Sequence, residues 1–544
     1  MKYLLFSFYL FISILSDAQP PPSWQWARTG TCTTSDNGSS ITTDNSGNIY
    51  TTGYFFGSNF TFSTTTLTNA GNYDAYIAKF DFAGNFLWAR SIGGAFDDVS
   101  NAIACDNAGN VFVTGYSTSS PLSIGAFTLT NMGGTDVFVV KYDPAGNVIW
   151  AKNFGDNMVE EPYGIASDGN NIYVTGQFQS NTINFGTSTL TCNGGGDVFT
   201  LKYDNNGNEL WGKGFGDTGL EIGNDVTVTM TNDIYVTGSF KSPVLTFSTY
   251  TLTNMGGSDY FLIRYDASGN EIWAKSAGGN FDDAGTCVKL SSGQLFATGY
   301  FKSTNITFGS TTFTNTSPTN ADIFIVNYNP PTGNEFWSRT FGGNLDDISY
   351  GVVTDGSGNA FIGGHIHSTS VVFDTYTLTC GGVGDGFVAK LNFFGGVMWA
   401  QNQGGLNDDG INDIASDQFM NIYVTGYYNS SSINFGGYFL NNSGSSDLCL
   451  AKLLSPPSGI RETGNLLQNL SLYPNPALTD FSIANLPAKS DIKIYDLTGK
   501  EIRHYETDNI DLFFIDVREL QPGIYTVNIL SEEALRSLKL AVLH

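Results

Sequence analysis

The sequence predicts an all-β fold made by repeating one unit, and three observations carry that prediction. Seven tryptophans (Trp26, Trp88, Trp150, Trp211, Trp273, Trp337 and Trp399) are separated by 62, 62, 61, 62, 64 and 62 residues. Self-similarity at a fixed period marks an array of one supersecondary unit. The 64 glycines and 14% aromatic residues, beside only 14% charged ones, suit pleated strands joined by tight turns. Long amphipathic helical stretches are absent from the pattern.

Each unit holds four strand signals, clearest in the second repeat at residues 98–106, 110–115, 136–143 and 147–152, which we letter A, B, C and D. An Asp-x-x-Gly-Asn turn links A to B (Asp106 to Asn110) and C to D (Asp143 to Asn147), and it recurs at Asp44-Gly47-Asn48, Asp204-Gly207-Asn208 and Asp266-Gly269-Asn270. Glycine supplies the positive φ, and Asp and Asn bond their own backbone, so these are hairpin turns. They lack the ligand series and terminal Glu of a calcium-binding EF-hand loop. Strand B recurs seven times, with its glycine at Gly53, Gly115, Gly176, Gly238, Gly299, Gly364 and Gly426. Strand C opens seven times on Asp74, Asp136, Asp197, Asp259, Asp322, Asp385 and Asp447.

The ends of the array set the blade count. The last unit stops after strand C at Lys452, Leu453 and Leu454, and the first is preceded by an unattached D-like strand, Trp24-Gln25-Trp26-Ala27. An N-terminal strand that completes the seventh unit removes both deficits and two open sheet edges. The expected architecture is a seven-bladed β-propeller of four-stranded blades closed by the N-terminal strand, over residues 19–454. Between B and C each unit inserts an apolar pair spaced by five (Phe62/Leu67, Ile124/Leu129, Phe185/Leu190, Phe247/Leu252, Phe308/Phe313, Phe373/Leu378, Phe435/Leu440), read as an extra hairpin on its own blade. The segments at 47–53 and 74–79 resemble bacterial β-propeller repeats of the Gly-Asn-Ile-Tyr-Val-Thr-Gly and Asp-Ala-Phe-Val-Ala-Lys type. The resemblance covers residues 24–454 and implies the fold more than any chemistry.

At the N-terminus, Lys2, an apolar core at 4–15 and small residues at Ser16 and Ala18 read as a signal peptide, residues 1–18, cleaved before Gln19. No later stretch is long and apolar enough for a transmembrane helix. A Pro-rich break opens a linker, 455–469, and residues 470–544 form a different module. Alternating apolar residues at Leu472-Tyr473-Pro474-Asn475-Pro476, at 492–500 with its Asp496-x-x-Gly499-Lys500 turn, and at 520–527 suggest a small C-terminal β-sandwich. In the order of these motifs the segment resembles the C-terminal sorting domain of the type IX secretion system of Bacteroidota. That resemblance implies passage through the periplasm, a partnership with the type IX machinery, and a secreted or cell-surface destination.

The chain carries a net charge of −26, of which −22 falls on residues 19–458 and −4 on 459–544. Such a surface repels phosphate backbones, so nucleic acid is excluded as a partner. The six cysteines, Cys32, Cys105, Cys192, Cys287, Cys380 and Cys449, have no CxxC spacing and show no disulfide framework.

Chemistry-bearing positions are few. Strand A begins on an acid in all seven units: Asp36, Asp98, Glu160, Glu221, Asp283, Asp347 and Asp409. The resembling propellers place strand A at the axis, which would set these acids around one channel mouth. Two readings stand: a cation or ligand ring, with calcium the fitting ion, or seven structural acids that cap backbone amides of a neighbouring blade. A base follows the strand-C aspartate by five residues in six units, for example Lys79 and Lys141, on the opposite face of the strand and suited to contacts between blades. His365 and His367 share a strand face, either as a solvent-facing pair or as part of a metal site. No nucleophile elbow, phosphate loop or zinc-protease motif occurs. No catalytic residue and no cofactor other than calcium is indicated. The function expected is a non-enzymatic binding or interaction scaffold for an extracellular protein or glycan. The alternative is an extracellular hydrolase or lyase acting at the channel mouth.

Overall fold

A computed structural model describes residues 21–454 except 230, 248, 292 and 357, together with residues 471–542 except 474–476, 478, 485–488, 497–499, 509–511 and 532–534. The signal peptide and the linker expected from the sequence lie outside the described residues. The chain divides into two units, Met1–Ser455 and Pro456–His544. No helix occurs among the described residues.

The first unit contains seven four-stranded antiparallel sheets, each ordered A-B-C-D. Sheet 1 comprises Ser35–Thr43, Ile49–Phe56, Tyr73–Phe80 and Phe86–Ile92, and sheet 2 comprises Asp98–Cys105, Val111–Ser117, Asp136–Tyr142 and Val148–Phe154. Strand A of sheets 3 to 6 is Glu160–Ser167, Glu221–Val228, Asp283–Ser291 and Asp347–Thr354. Sheet 7 takes Asp409–Ser416, Ile422–Tyr428 and Asp447–Leu453 from the end of the array, and its fourth strand is Trp24–Arg28 from the start. That strand is antiparallel to Asp447–Leu453, with Trp26 opposite Lys452 and Arg28 opposite Leu450. Successive A strands touch, and strand A of sheet 7 touches strand A of sheet 1.

The sheets stack face to face, so the two central strands are covered on both sides. All seven residues of Asp136–Tyr142 are buried. Each core is shared between neighbours. One cluster joins sheets 2 and 3 through Phe112, Val139, Trp150, Ile172 and Phe199, and another joins sheets 7 and 1 through Trp26, Leu448, Leu450, Ile41 and Tyr76.

The inserted apolar pairs form two-stranded hairpins as expected, and the first gains a third strand from Thr31–Cys32. They do not pack on their own sheet alone. Phe185 of the third hairpin meets Phe154 of sheet 2 at 4.6 Å, and Phe373 of the sixth meets Phe341 of sheet 5 at 4.5 Å. Each such hairpin covers a seam between two outer strands.

The second unit holds two antiparallel sheets. One orders Ser471–Tyr473, Asp480–Ala484 and Leu512–Asp516; the other orders Glu501–Asp508, Lys489–Tyr495, Gly523–Ser531 and Leu535–Val542. A single core that includes Phe481, Ile515, Ile494, Val527 and Leu540 joins them. The Asp496 turn is closed by the Lys500 amide donating to the Asp496 carboxylate at 3.1 Å.

Candidate functional site

Strand A carries a β-bulge in every sheet, three residues after its opening acid, where two residues face one on strand B. The strand-B glycine is the partner that allows it. A Cβ on Gly115 would lie 2.0 Å from the Val99 carbonyl oxygen, and one on Gly238 would lie 1.8 Å from that of Ile222. No side chain fits there, which accounts for the glycine in all seven units. The bulged residues are Ser39, Asn101, Tyr163, Asn224, Thr286, Tyr350 and Asn412. They face a central cavity of about 760 Å³ lined by strand A of all seven sheets.

Four bulged residues stitch their sheet to the next. Asn101 donates to the Pro162 carbonyl at 2.8 Å, Asn224 to that of Gly285 at 2.8 Å, Thr286 to that of Ser349 at 2.5 Å, and Asn412 to that of Gly38 at 2.9 Å. The last bond links sheet 7 to sheet 1.

The seven acids do not ring the cavity mouth: none lines the cavity, and each is 0% or 1% exposed. The bulge brings its extra residue to the axis, while the acid three positions before it faces into the sheet stack. There the acids brace the loop that follows strand B. Asp347 accepts from the Ser368 hydroxyl at 2.6 Å and from the Ser368 and His367 amides at 3.1 Å. Asp283 with Ser303 and Asp409 with Ser430 repeat the hydroxyl bond at 2.6 Å, and Asp98 accepts from Ser117 and Ser119. Glu160 and Glu221, one methylene longer, take the Ser180 and Ser242 amides at 3.0 and 2.9 Å. These are contacts within one sheet rather than between neighbours. Asp36 is the exception, accepting from the Leu448 amide of sheet 7 at 2.7 Å, because Gly57 stands where the other units have serine. That serine, four residues after the strand-B glycine in six units, is the sequence signal that identifies the acids as braces.

The strand-C aspartates are buried beside them. Each takes an amide upstream, as Asp136 does from Met132 at 2.8 Å, and an oxygen of Asp74, Asp136, Asp259, Asp385 and Asp447 has no partner. Burial raises their carboxyls: Asp74 to about 7, and Asp136, Asp259 and Asp322 to about 6. Among the strand-A acids, burial lifts Asp98 to about 6 and Asp283 to about 7.

In four seams the strand-C base and the periodic tryptophan act together between sheets. Lys79 and Trp88 of sheet 1 both donate to the Pro144 carbonyl in the C–D turn of sheet 2, at 3.0 and 3.2 Å. Lys141 and Trp150 share the Asn205 carbonyl, and Lys202 and Trp211 that of Ala267. Lys452 and Trp26 share the Phe82 carbonyl at 3.2 and 3.4 Å, so the same device joins sheet 7 to sheet 1.

At the end of the cavity where strands A begin, two groups of side chains depart from the sevenfold pattern. In the first, Tyr163 donates to Glu161, and Gln177 donates to Glu161 at 3.0 Å and to the Tyr163 hydroxyl at 3.1 Å. In the second, Tyr350 lies 4.8 Å from the His365 ring, which lies 5.4 Å from Tyr427. Asp408 accepts from His367 Nε2 at 3.0 Å and from Tyr427 at 2.7 Å. His367 Nδ1 meets the Asp346 carbonyl at 3.1 Å. The bond to Asp408 raises the pKa of His367 and holds that of Asp408 low. His365 is buried rather than solvent-facing, and burial lowers it to about 4. The two histidines are thus shifted in opposite directions despite sharing a strand face. Among the described residues, no three His, Cys, Asp or Glu side chains are grouped to hold a metal ion, and the six cysteines are free. No helix among the described residues is long and apolar enough to cross a membrane.

Comparison with known proteins finds family matches in both parts of the chain. The secretion system C-terminal sorting domain matches residues 471–542, and the β-propeller repeat matches 26–54 and 87–123. An uncharacterised WD repeat-containing protein of Acanthamoeba polyphaga mimivirus is 25% identical over 498 residues, 77% of this chain and 35% of that protein. Regulatory protein FlaEY of Caulobacter vibrioides is 25% identical over 362 residues, 61% of this chain and 36% of that one. The chain thus spans about a third of the length of these relatives. Among solved structures, PorZ, a surface component of the type IX secretion system of Porphyromonas gingivalis, aligns over 95% of this chain and 100% of its own at 10% identity and a TM-score of 0.17. The sorting domain marks the chain for export by the type IX system to the cell surface or the medium. The chain is an all-β protein of β-propeller repeats that ends in a type IX secretion-system sorting domain.

Proposed function

We propose that residues 19–454 form one closed seven-bladed propeller that works outside the cell as a non-enzymatic binding scaffold. Residues 1–18 would serve as signal peptide, 455–469 as linker and 470–544 as the sorting domain, in a Bacteroidota host. The Trp26 strand in sheet 7, the shared Phe82 carbonyl and the Asn412–Gly38 bond support closure.

One observation carries the functional reading. The polar groups that recur around the sheets hold the framework, while the side chains at the cavity mouth vary from sheet to sheet. Recognition on a rigid scaffold falls to such variable positions. The buried acids are accordingly framework rather than a calcium ring. Calcium titrated into the chelator-treated chain should give no stoichiometric heat, and heat abolished by Asp347→Asn would restore the cation reading.

The alternative, an extracellular hydrolase or lyase, draws on the His367–Asp408–Tyr427 group. Both ring nitrogens of His367 are already engaged by protein oxygens, the Asp346 carbonyl and the Asp408 carboxylate, which supports a structural role for the group. The test has two parts. A chain lacking 471–542 should accumulate in the periplasm of a type IX host. The full chain, incubated with extracellular glycans and proteins, should retain at least one of them and release no product. Normal secretion of the truncated chain would sink the export assignment, and turnover would sink the scaffold reading.

A further inference from the structure

Tyr163 and Tyr350 occupy bulge positions that four other sheets fill with a stitching Asn or Thr. Both are half-buried and line the cavity. They stand on sheets 3 and 6, roughly opposite one another in a ring of seven. Beside each, half-exposed and outside the lining of the cavity itself, lies a carboxylate already oriented by hydrogen bonds: Glu161 by Tyr163 and Gln177, Asp408 by His367 and Tyr427. Resting on the scaffold reading above, we propose that this end of the cavity binds a neutral carbohydrate, with Tyr163 and Tyr350 as stacking platforms and Glu161 and Asp408 as hydroxyl acceptors.

The chemistry selects the ligand class. A tyrosine ring offers a flat apolar face that suits the C–H face of a pyranose, and the Tyr163 ring is held in place by its hydroxyl, which donates to Glu161 and accepts from Gln177. A wholly apolar ligand would bury Glu161 and Asp408 against carbon, at the cost of a desolvated carboxylate. An anionic ligand would meet these acids and a propeller surface of net charge −22. A small cation is better served by rings clustered on one wall than by rings on separate sheets, and the charge of Asp408 is already matched by His367. A volume of about 760 Å³ lies within the range of small-ligand sites, enough for a short glycan segment or chain end.

Affinity electrophoresis of the full-length chain tests this, in gels containing laminarin, xyloglucan or galactomannan, with polygalacturonate as anionic control. At least one neutral polymer should retard the chain and polygalacturonate should not. Tyr163→Ala and Tyr350→Ala should each weaken the retardation about tenfold or more, at unchanged melting temperature, and the Phe variants should retain most of it. On the unsubstituted chain, an oligosaccharide of the retarding polymer should protect Tyr163 and Tyr350 from nitration by tetranitromethane, a readout that needs no variant to fold. Retardation that survives both Ala variants, without protection, would overturn the site and leave the scaffold reading intact. Failure of every neutral polymer, or stronger binding of choline than of any sugar, would overturn the ligand class. Release of reducing ends that the Ala variants abolish would uphold the site and overturn only the non-enzymatic reading.

Discussion

A single buried carboxylate shows how this framework is built. Asp347 sits at 0% exposure with hydrogen bonds from one hydroxyl and two amides, and Ser368 Oγ is itself fixed by accepting from the Leu345 amide at 2.9 Å. Ser368→Ala removes both contacts while leaving the Asp347 carboxylate buried. We expect a loss of about 1–3 kcal/mol in urea unfolding, since an unsatisfied buried acceptor costs more than an average hydrogen bond. Ser303→Ala should behave alike, because Ser303 Oγ donates to Asp283 and accepts from the Phe281 amide at 3.0 Å. A cost below a few tenths of a kcal/mol at both sites would show that the braces contribute little.

At the scale of the element, the two kinds of Asp-x-x-Gly-Asn turn share a local conformation but not a setting. Gly109 in an A–B turn has φ of 77°, and Gly146 in a C–D turn has φ of 81°. A Cβ on Gly109 would meet nothing closer than 3.6 Å, whereas one on Gly146 would lie 2.9 Å from the Trp88 ring of the preceding sheet. Both alanine variants incur the backbone penalty for a positive φ, about 1 kcal/mol. Only Gly146→Ala also has to displace the tryptophan that bonds Pro144. It should therefore cost about 1–3 kcal/mol more than Gly109→Ala in the same denaturation experiment. Equal costs would mean that the turn–tryptophan seam yields without resistance. Lys79→Met tests the same seam from the other side, and should weaken it by about 1 kcal/mol through loss of the bond to Pro144.

For the whole molecule, the first strand is a determinant of the last sheet, because Trp24–Arg28 supplies its fourth strand. Removing residues 19–29 would strip strand D from sheet 7 and expose the edge of Asp447–Leu453. We expect the cooperative calorimetric transition of the array to be lost or broadened, and an unchanged transition would contradict closure. Acid-base behaviour is also a property of the whole array. Burial holds Asp74 and Asp283 at about 7 and Asp98, Asp136, Asp197, Asp259 and Asp322 at about 6, against an ordinary value of 3.8. Between pH 4 and 7 the native state therefore binds more protons than the unfolded chain, so stability falls as pH rises through that window. His367, held high by Asp408, acts in the same direction, because its contribution is present below its ordinary value of 6.5 and is lost as pH climbs. His365, pushed down to about 4 by burial, opposes as a single group. Below pH 4 the turn aspartates Asp81, Asp143, Asp204 and Asp266, held low by their hydrogen bonds, become protonated and lose their contribution. The melting temperature should be higher at pH 5 than at pH 8 and should drop again in stronger acid. A monotonic rise from pH 4 to 8 would refute the buried-carboxylate account.

The sequence by itself determined whatever repeats. The 62-residue spacing of tryptophans, the turn glycines and the deficits at the two ends were enough to define the four-strand unit and the D-like character of Trp24–Arg28. The tail was legible for the same reason: its turns and alternating strands are local patterns, and the sorting-domain match covers 471–542. Tertiary structure decided where the repeated side chains point. An acid at the start of strand A reads equally well as a pore ligand or as a brace. The bulge, set by a glycine on the neighbouring strand, sends the third residue after it to the axis and leaves the acid in the stack. It also decided where the odd residues sit. Tyr163, Tyr350 and His367 break no local rule in the sequence and stand far apart along it. Only the stacking of sheets brings Tyr163 and Tyr350 to one cavity and His367 next to Asp408. Periodicity records the framework because each copy needs the same contacts, whereas a binding site is assembled from the positions where the copies differ.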